Sequence, residues 1–213
     1  MPRRRVIQSA APVIAVLSLG LSVLSVATDG FQAVTEEGAR RLRIAREAPA
    51  VTALSLEDMH GRGIVLGGRV ANDTSGSGRS VDLVEFIYTT CPTVCQAAGS
   101  DYARLRDKLV EAGLAGSVRL LSVSFDPAND DGPAMRDYAG RHGANGVVWT
   151  VARLRADDLI RVQDEYGLRV IPDQWGGFQH NAAVHLVNHQ GRLSGIFDIN
   201  DVDGIFNAVA AKQ

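Results

Sequence analysis

Cysteine is scarce: the 213 residues hold only Cys91 and Cys95, which excludes a scaffold stapled by several disulfides. Positive charge is not in excess. The formal net charge is −2 and the sequence pI is near 6.2, so the electrostatic footprint of a nucleic-acid-binding protein is missing. No internal repeat of solenoid period is present, and no low-complexity tract beyond the glycine- and serine-rich loop from Asn72 to Ser80. What remains is an ordinary globular composition, 46% hydrophobic and 22% charged, for which one folded domain is the expectation.

The charge is unevenly placed. Arg3, Arg4 and Arg5 precede an uncharged run from Val6 to Thr28 that ends at Asp29, the pattern of a membrane anchor or a signal peptide spanning 1–28. The length of the run favours an uncleaved anchor, since a secretory apolar region needs only about 7–15 residues. On the other side, Ser25 and Ala27 supply small residues before a possible cut at Thr28, and Ser9, Pro12, Gly20 and Ser22 dilute the apolar content. Either way the arginines stay on the cytoplasmic side and the body is placed across the membrane, in a periplasmic-type compartment. Arg40, Arg41, Arg43 and Arg46 at the far end of the run weaken that orientation.

The stretch 29–49 reads as a linker whose helix covers Phe31 to Glu47 and stops before Pro49. The domain, 50–213, then opens on a strand from Val51 to Leu56 and a glycine-punctuated hairpin around Ile64 to Leu66. A regular alternation follows. Val81 to Tyr88, Val118 to Phe125 and Val147 to Val151 read as buried strands. Between and after them come helices through Leu109, from Asp131 to His142 and from Arg155 to Tyr166. Ala183 to Val187 and Leu193 to Asp198 flank a hairpin turn ending at Gly191, and Val202 to Ala211 is a last helix. The order gives an α/β fold with a central mixed sheet flanked by helices, compatible with a thioredoxin-like architecture.

Pro92 fits the first position of the helix that follows the first of these strands, with Cys91 as its cap and Cys95 one turn inside. The helix N-terminus then favours thiolate over thiol. No Lys or Arg lies between Val81 and Ala103, so local sequence offers no second activating cation. Three residues separate the cysteines. Side chains four apart on a helix have Cβ atoms roughly 5–6 Å apart, wider than the ~3.8 Å of a relaxed disulfide. A metal ion spans that gap more easily, and two thiolates with one imidazole suit copper, whereas zinc normally wants a fourth ligand. Five histidines are available as the third donor. His60 sits in a glycine-bounded turn, His142 near a helix end, His185 mid-strand, His189 in the hairpin turn, and His180 in a glycine-flanked loop free to close over another loop.

These pieces together resemble the Sco/SenC family of copper-binding, thioredoxin-like proteins that assist assembly of the copper A centre of cytochrome c oxidase. The matching residues are the strand FIYTT running into Cys91-Pro92-Thr93-Val94-Cys95, the strand LLSVSF with Asp126-Pro127, and His180 in HNAAVHLVNHQG. The resemblance implies Cys91, Cys95 and His180 as ligands of one copper ion, and a cytochrome c oxidase copper-site subunit as the partner, with other copper chaperones as further partners. It also implies a second chemistry, thiol-disulfide reduction of the client's cysteines with Cys91 attacking and Cys95 resolving. A thiol peroxidase on the same scaffold is disfavoured by the missing cation. The chain departs from the family at Gln96, where a second proline is common, at Gln179, where an acidic residue precedes the histidine, and at His185, which replaces an aromatic. Asp126-Pro127 at a strand end reads as a turn or helix cap.

Overall fold

The computed structural model describes residues 3–30, 35–67, 81–91 and 94–211, and within them the side chains of all but 3–11 and 94–96. The chain divides into two units, Met1–Arg46 and Glu47–Gln213. In the first, Arg3–Ala27 forms helix α1 and Glu36–Glu47 forms α2. No helix among the described residues is long and apolar enough to cross a membrane. In α2, Glu37 accepts from the Nε atoms of Arg40 and Arg41 at 2.9 Å each, the spacing at which helical side chains meet. Phe31, the first residue of the expected linker helix, and the loop from Asn72 to Ser80 lie outside the described residues.

The second unit is built on strands β1 (Leu54–Asp58), β2 (Gly63–Leu66) and β3 (Val81–Ile87), helix α3 (Val94–Glu111), β4 (Val118–Ser124), α4 (Gly132–His142), β5 (Trp149–Arg153), α5 (Leu159–Tyr166), β6 (Val170–Pro172), β7 (Phe178–His180), β8 (Val184–Asn188), β9 (Leu193–Phe197) and α6 (Val202–Ala210). Seven strands form one sheet in the order β2-β1-β5-β4-β3-β8-β9. The three central strands are parallel, as expected for strands joined by crossover helices, and β1, β2, β8 and β9 join antiparallel at the two sides. β3 and β4 are buried at every second residue and most between, which is why they read as continuous apolar runs.

Strand alternation sorts the core into two layers. On one face, Leu83, Glu85, Leu120, Ser122 and Trp149 meet α3, where the rings of Tyr102 and Trp149 lie 5.5 Å apart. On the other, Phe86 and His185 meet Tyr166 of α5 at 5.3 and 5.6 Å. Asp131 caps α4 by accepting from the Ala134 N–H, and Gly143 and Gly167 end α4 and α5 in the left-handed conformation.

Several boundaries differ from the sequence reading, and three of them have a visible physical reason. The first strand runs from Leu54, not Val51, because the Val51 N–H is spent on Gly191 O and Pro49 O accepts from Leu193, tying that segment to the β8–β9 turn. β5 starts at Trp149 rather than Val147, since Asn145 Oδ1 takes the N–H groups of both Val147 and Val148. A single 3₁₀ turn, Ala156–Asp158, precedes α5.

Candidate metal centre

The candidate site lies at the carboxyl ends of β3 and β4, the edge where open α/β sheets place their ligands. Past Ile87 the chain turns, the Cys91 N–H donating to Tyr88 O at 3.2 Å. Cys91 is buried, 5% exposed. Cys95 is the second residue of α3, which opens at Val94, rather than one turn inside it as the sequence suggested; its side chain, with Pro92 and the expected helix-opening role of that proline, lies outside the described residues.

The loop between Tyr88 and Cys91 is fixed from below and from the side. Asp130, fully buried, accepts from the Thr89 N–H at 2.9 Å, from the Thr89 hydroxyl at 2.6 Å and from the Ser124 hydroxyl at 2.5 Å. Arg141, near the end of α4, donates to Thr89 O at 3.1 Å. A cation from across the fold thus holds the backbone two residues before Cys91. Asp126 accepts from Asn129 Nδ2 with both oxygens, and its carbonyl takes the N–H groups of Asn129 and Asp130. It shapes the turn that presents Asp130, the capping role expected for it.

His180 is not in a loop, as the sequence suggested, but in a two-stranded ribbon, β6 with β7, where it pairs with Val170. The turn of that ribbon is closed by Asp173, whose Oδ1 accepts from the N–H groups of Trp175 and Gly177. Gly177 is closely approached: an added Cβ would sit 2.9 Å from Asp173 Oδ2 and 3.3 Å from the Tyr88 hydroxyl, so both groups would have to shift. Tyr88 holds the ribbon down, its hydroxyl donating to Phe178 O at 3.2 Å. The His180 ring consequently lies 6.0 Å from that of Tyr88 and 5.1 Å from that of Phe125, with Phe178 completing the wall.

Burial against these rings pushes the His180 imidazole below its ordinary pKa, against a smaller upward pull from Asn181 O. Nδ1 faces that carbonyl at 3.3 Å. A proton on Nδ1 leaves Nε2 with a lone pair, so a backbone oxygen takes over the orienting task of the absent acidic neighbour.

The remaining histidines are elsewhere. His185 is buried in β8 with its ring nitrogens facing Val84 O and Tyr166 O. His142 packs on α3 at Gly99. His60 and His189 are exposed in turns. Among the described side chains no three of His, Cys, Asp or Glu converge as a metal cluster; the Cys91 backbone turns back on Tyr88 O and the His180 ring lies 6.0 Å from that of Tyr88, without closing a ligand set. Asp130, Arg141 and the Tyr88–Phe125–Phe178 wall had no signal in the sequence; the ribbon had one, the glycine pair after Asp173.

The SCO1/SenC family model matches residues 66–211. A SCO1 protein homolog of Bacillus subtilis is 24% identical over 131 residues, 59% of this chain, and the matched stretch spans only 63% of that protein's length. Among solved structures, a SCO1/SenC family lipoprotein from Bacillus anthracis has a TM-score of 0.66 at 16% identity, covering 77% of this chain and 95% of its own. BsSco, described as a member of the Sco family of cytochrome c oxidase assembly proteins with a disulfide switch, gives 0.62 at 19%, covering 76% and 92%. ScoI of Arabidopsis thaliana with copper bound gives 0.60 at 17%, covering 76% and 97%. At these identities the structural likeness establishes the thioredoxin-like fold.

Proposed function

The chain belongs to the SCO1/SenC family, and from that membership we propose that it is an exported copper carrier. It holds one copper ion through Cys91, Cys95 and His180 and passes it by ligand exchange to the copper A subunit of cytochrome c oxidase.

The observation that carries this reading is the placement of His180. A neutral, half-buried imidazole on a ribbon anchored by Tyr88 stands beside the loop that bears Cys91, which suits nitrogen ligation to a metal held by sulfur. Copper is the cargo. Thiolates are soft donors that suit Cu(I), and the added imidazole lets the same set carry Cu(II). Asp130 and Arg141 fix the Thr89 peptide, so the Cys91 loop needs little reorganisation on binding, while His180 is held mainly by ring contacts and one carbonyl. His180 is therefore the ligand that exchanges first, opening the copper to an incoming donor from the client.

Arg3, Arg4 and Arg5 before the uncharged run support export with the domain on the periplasmic-type side, and the Bacillus anthracis neighbour, a lipoprotein, is consistent with tethering near a membrane. The test is stoichiometry. The reduced chain should bind one equivalent of Cu(I) and keep it against a weak competitor; a folded, reduced chain that retains none would remove the proposal.

A further inference from the structure

The core beneath the candidate site holds an acid that the proposed copper chemistry does not use. Glu85, in the middle of β3, is 0% exposed. Its Oε1 accepts from the Ser122 hydroxyl at 2.5 Å, and Ser122 in turn accepts from the Trp149 indole N–H at 2.8 Å. Its other oxygen, Oε2, has no hydrogen-bond partner among the described residues, nor has the hydroxyl of Tyr102, which α3 brings down onto the same face.

Among the described residues, the groups facing Glu85 offer no counter-charge. From β4 comes Ser122, and from β8 the apolar Val184. From α3 come Tyr102 and Asp101, the latter an acid ion-paired with Arg104. Tyr138 of α4 acts on Tyr102, as does Asp82, which is paired with Arg119. A neutral acid with one unpaired oxygen is tolerated in such a place far better than an unpaired carboxylate.

Two of these elements reach the metal loop. Tyr102 lies two helical turns beyond Cys95 on α3, and Tyr138 lies one turn before Arg141, whose guanidinium holds Thr89 O. β3 itself runs from Glu85 to the turn at Tyr88. We propose that Glu85 is a proton-linked latch for the metal loop: as the neutral acid it lets α3 and α4 close over β3, and as the carboxylate it loosens them and the loop that carries Cys91.

Burial raises Glu85 from the ordinary 4.5 to about 7, with the Ser122 bond opposing and Asp101 adding to the rise. The sign follows. In an opened loop that admits water Glu85 titrates near its ordinary value, so the closed form is favoured most below pH 4.5 and loses that advantage as pH rises to about 7. Opening grows at most tenfold per pH unit across this window and levels off above it. In the copper-carrying reading on which this role rests, release is easier at neutral than at acidic pH by the part of the effect that Glu85 carries.

The test is amide hydrogen exchange of Thr89, Cys91 and the first turns of α3 in the full, reduced, metal-free chain, corrected for intrinsic rates, from about pH 4.5 to about 8.5. Protection should fall by tenfold or more towards pH 7 and then flatten, and Glu85→Gln should remove the slope. Should Glu85→Gln fail to fold, carboxyl ¹³C NMR of Glu85 in the native chain replaces it: Glu85 must titrate near 7, the pH at which the loss of protection levels off. Equal pH profiles for the two chains, or a Glu85 midpoint near 4.5, would overturn the latch. Copper retention is measured separately. A chain that binds no copper sinks the copper reading and leaves the latch standing, whereas copper binding with a loop indifferent to Glu85 sinks the latch alone.

Discussion

Asp130 reaches across forty-one residues of sequence to hold Thr89 by both its N–H, at 2.9 Å, and its hydroxyl, at 2.6 Å. A buried carboxylate that takes two donors from one residue sets that residue's backbone and side chain together, and here it also takes the Ser124 hydroxyl. The loop bearing Cys91 is therefore positioned by the end of β4 as much as by its own strand.

Asp130→Ala leaves three buried donors without an acceptor. Each such loss costs about 1–3 kcal/mol, and the three are coupled, so a total of about 2–5 kcal/mol is expected in urea unfolding. Asp130→Asn, which keeps one acceptor oxygen, should lose less. Copper retention should fall in both, more steeply in the alanine variant. Unfolding curves that match the parent would show that the Thr89 contacts carry no energy.

His180→Ala separates metal carriage from thiol chemistry. A disulfide between Cys91 and Cys95 needs only the two sulfurs, so the thiol-disulfide potential should change little. Loss of even an outer partner of a ligand typically costs 10–100-fold in metal affinity, and loss of a ligand should cost at least that. Cu(II) should suffer more than Cu(I), which accepts two thiolates alone. Disappearance of the Cu(II)-thiolate absorption with failed oxidase copper loading is the expected result. Unchanged affinity in both oxidation states and normal loading would make His180 a bystander and move the function to thiol reduction.

Gly99→Ala ought to stabilise a helix by roughly 0.5–1 kcal/mol on propensity alone. In α3 the opposite is expected. A Cβ there would lie 2.3 Å from Nδ1 of His142, whose ring also packs on Tyr138 at 4.6 Å. Overpacking of this kind costs about 1–3 kcal/mol, so the melting temperature should drop. The double variant with His142→Ala should recover part of the loss; a stabilised single variant would mean that the imidazole moves aside freely.

The fate of residues 1–28 is decided by protein chemistry on the native material. A retained Met1 or Pro2, with resistance to alkaline extraction, is the outcome for an anchor, and a chain beginning at Thr28 is the outcome for a cleaved signal. Fractionation and N-terminal sequencing are to be read together.

The elements were legible where one local pattern fixes them. β3 and β4 are runs of β-branched and aliphatic residues, α4 has Asp131 before it and Gly143 after it, and the β8–β9 turn is closed by Asn188, whose Oδ1 takes the N–H groups of Gln190 and Arg192. The two cysteines at a strand-to-helix junction were legible for the same reason, and the family model spans that stretch. Periodicity says nothing about which distant group will satisfy a buried donor. Asp130 under Thr89, Arg141 on its carbonyl, the Tyr88 hydroxyl that pins the His180 ribbon and the lone carboxyl of Glu85 in the core were all decided by tertiary structure. Each depends on two strands or helices meeting at a given register, a long-range outcome of packing that no short window of sequence encodes.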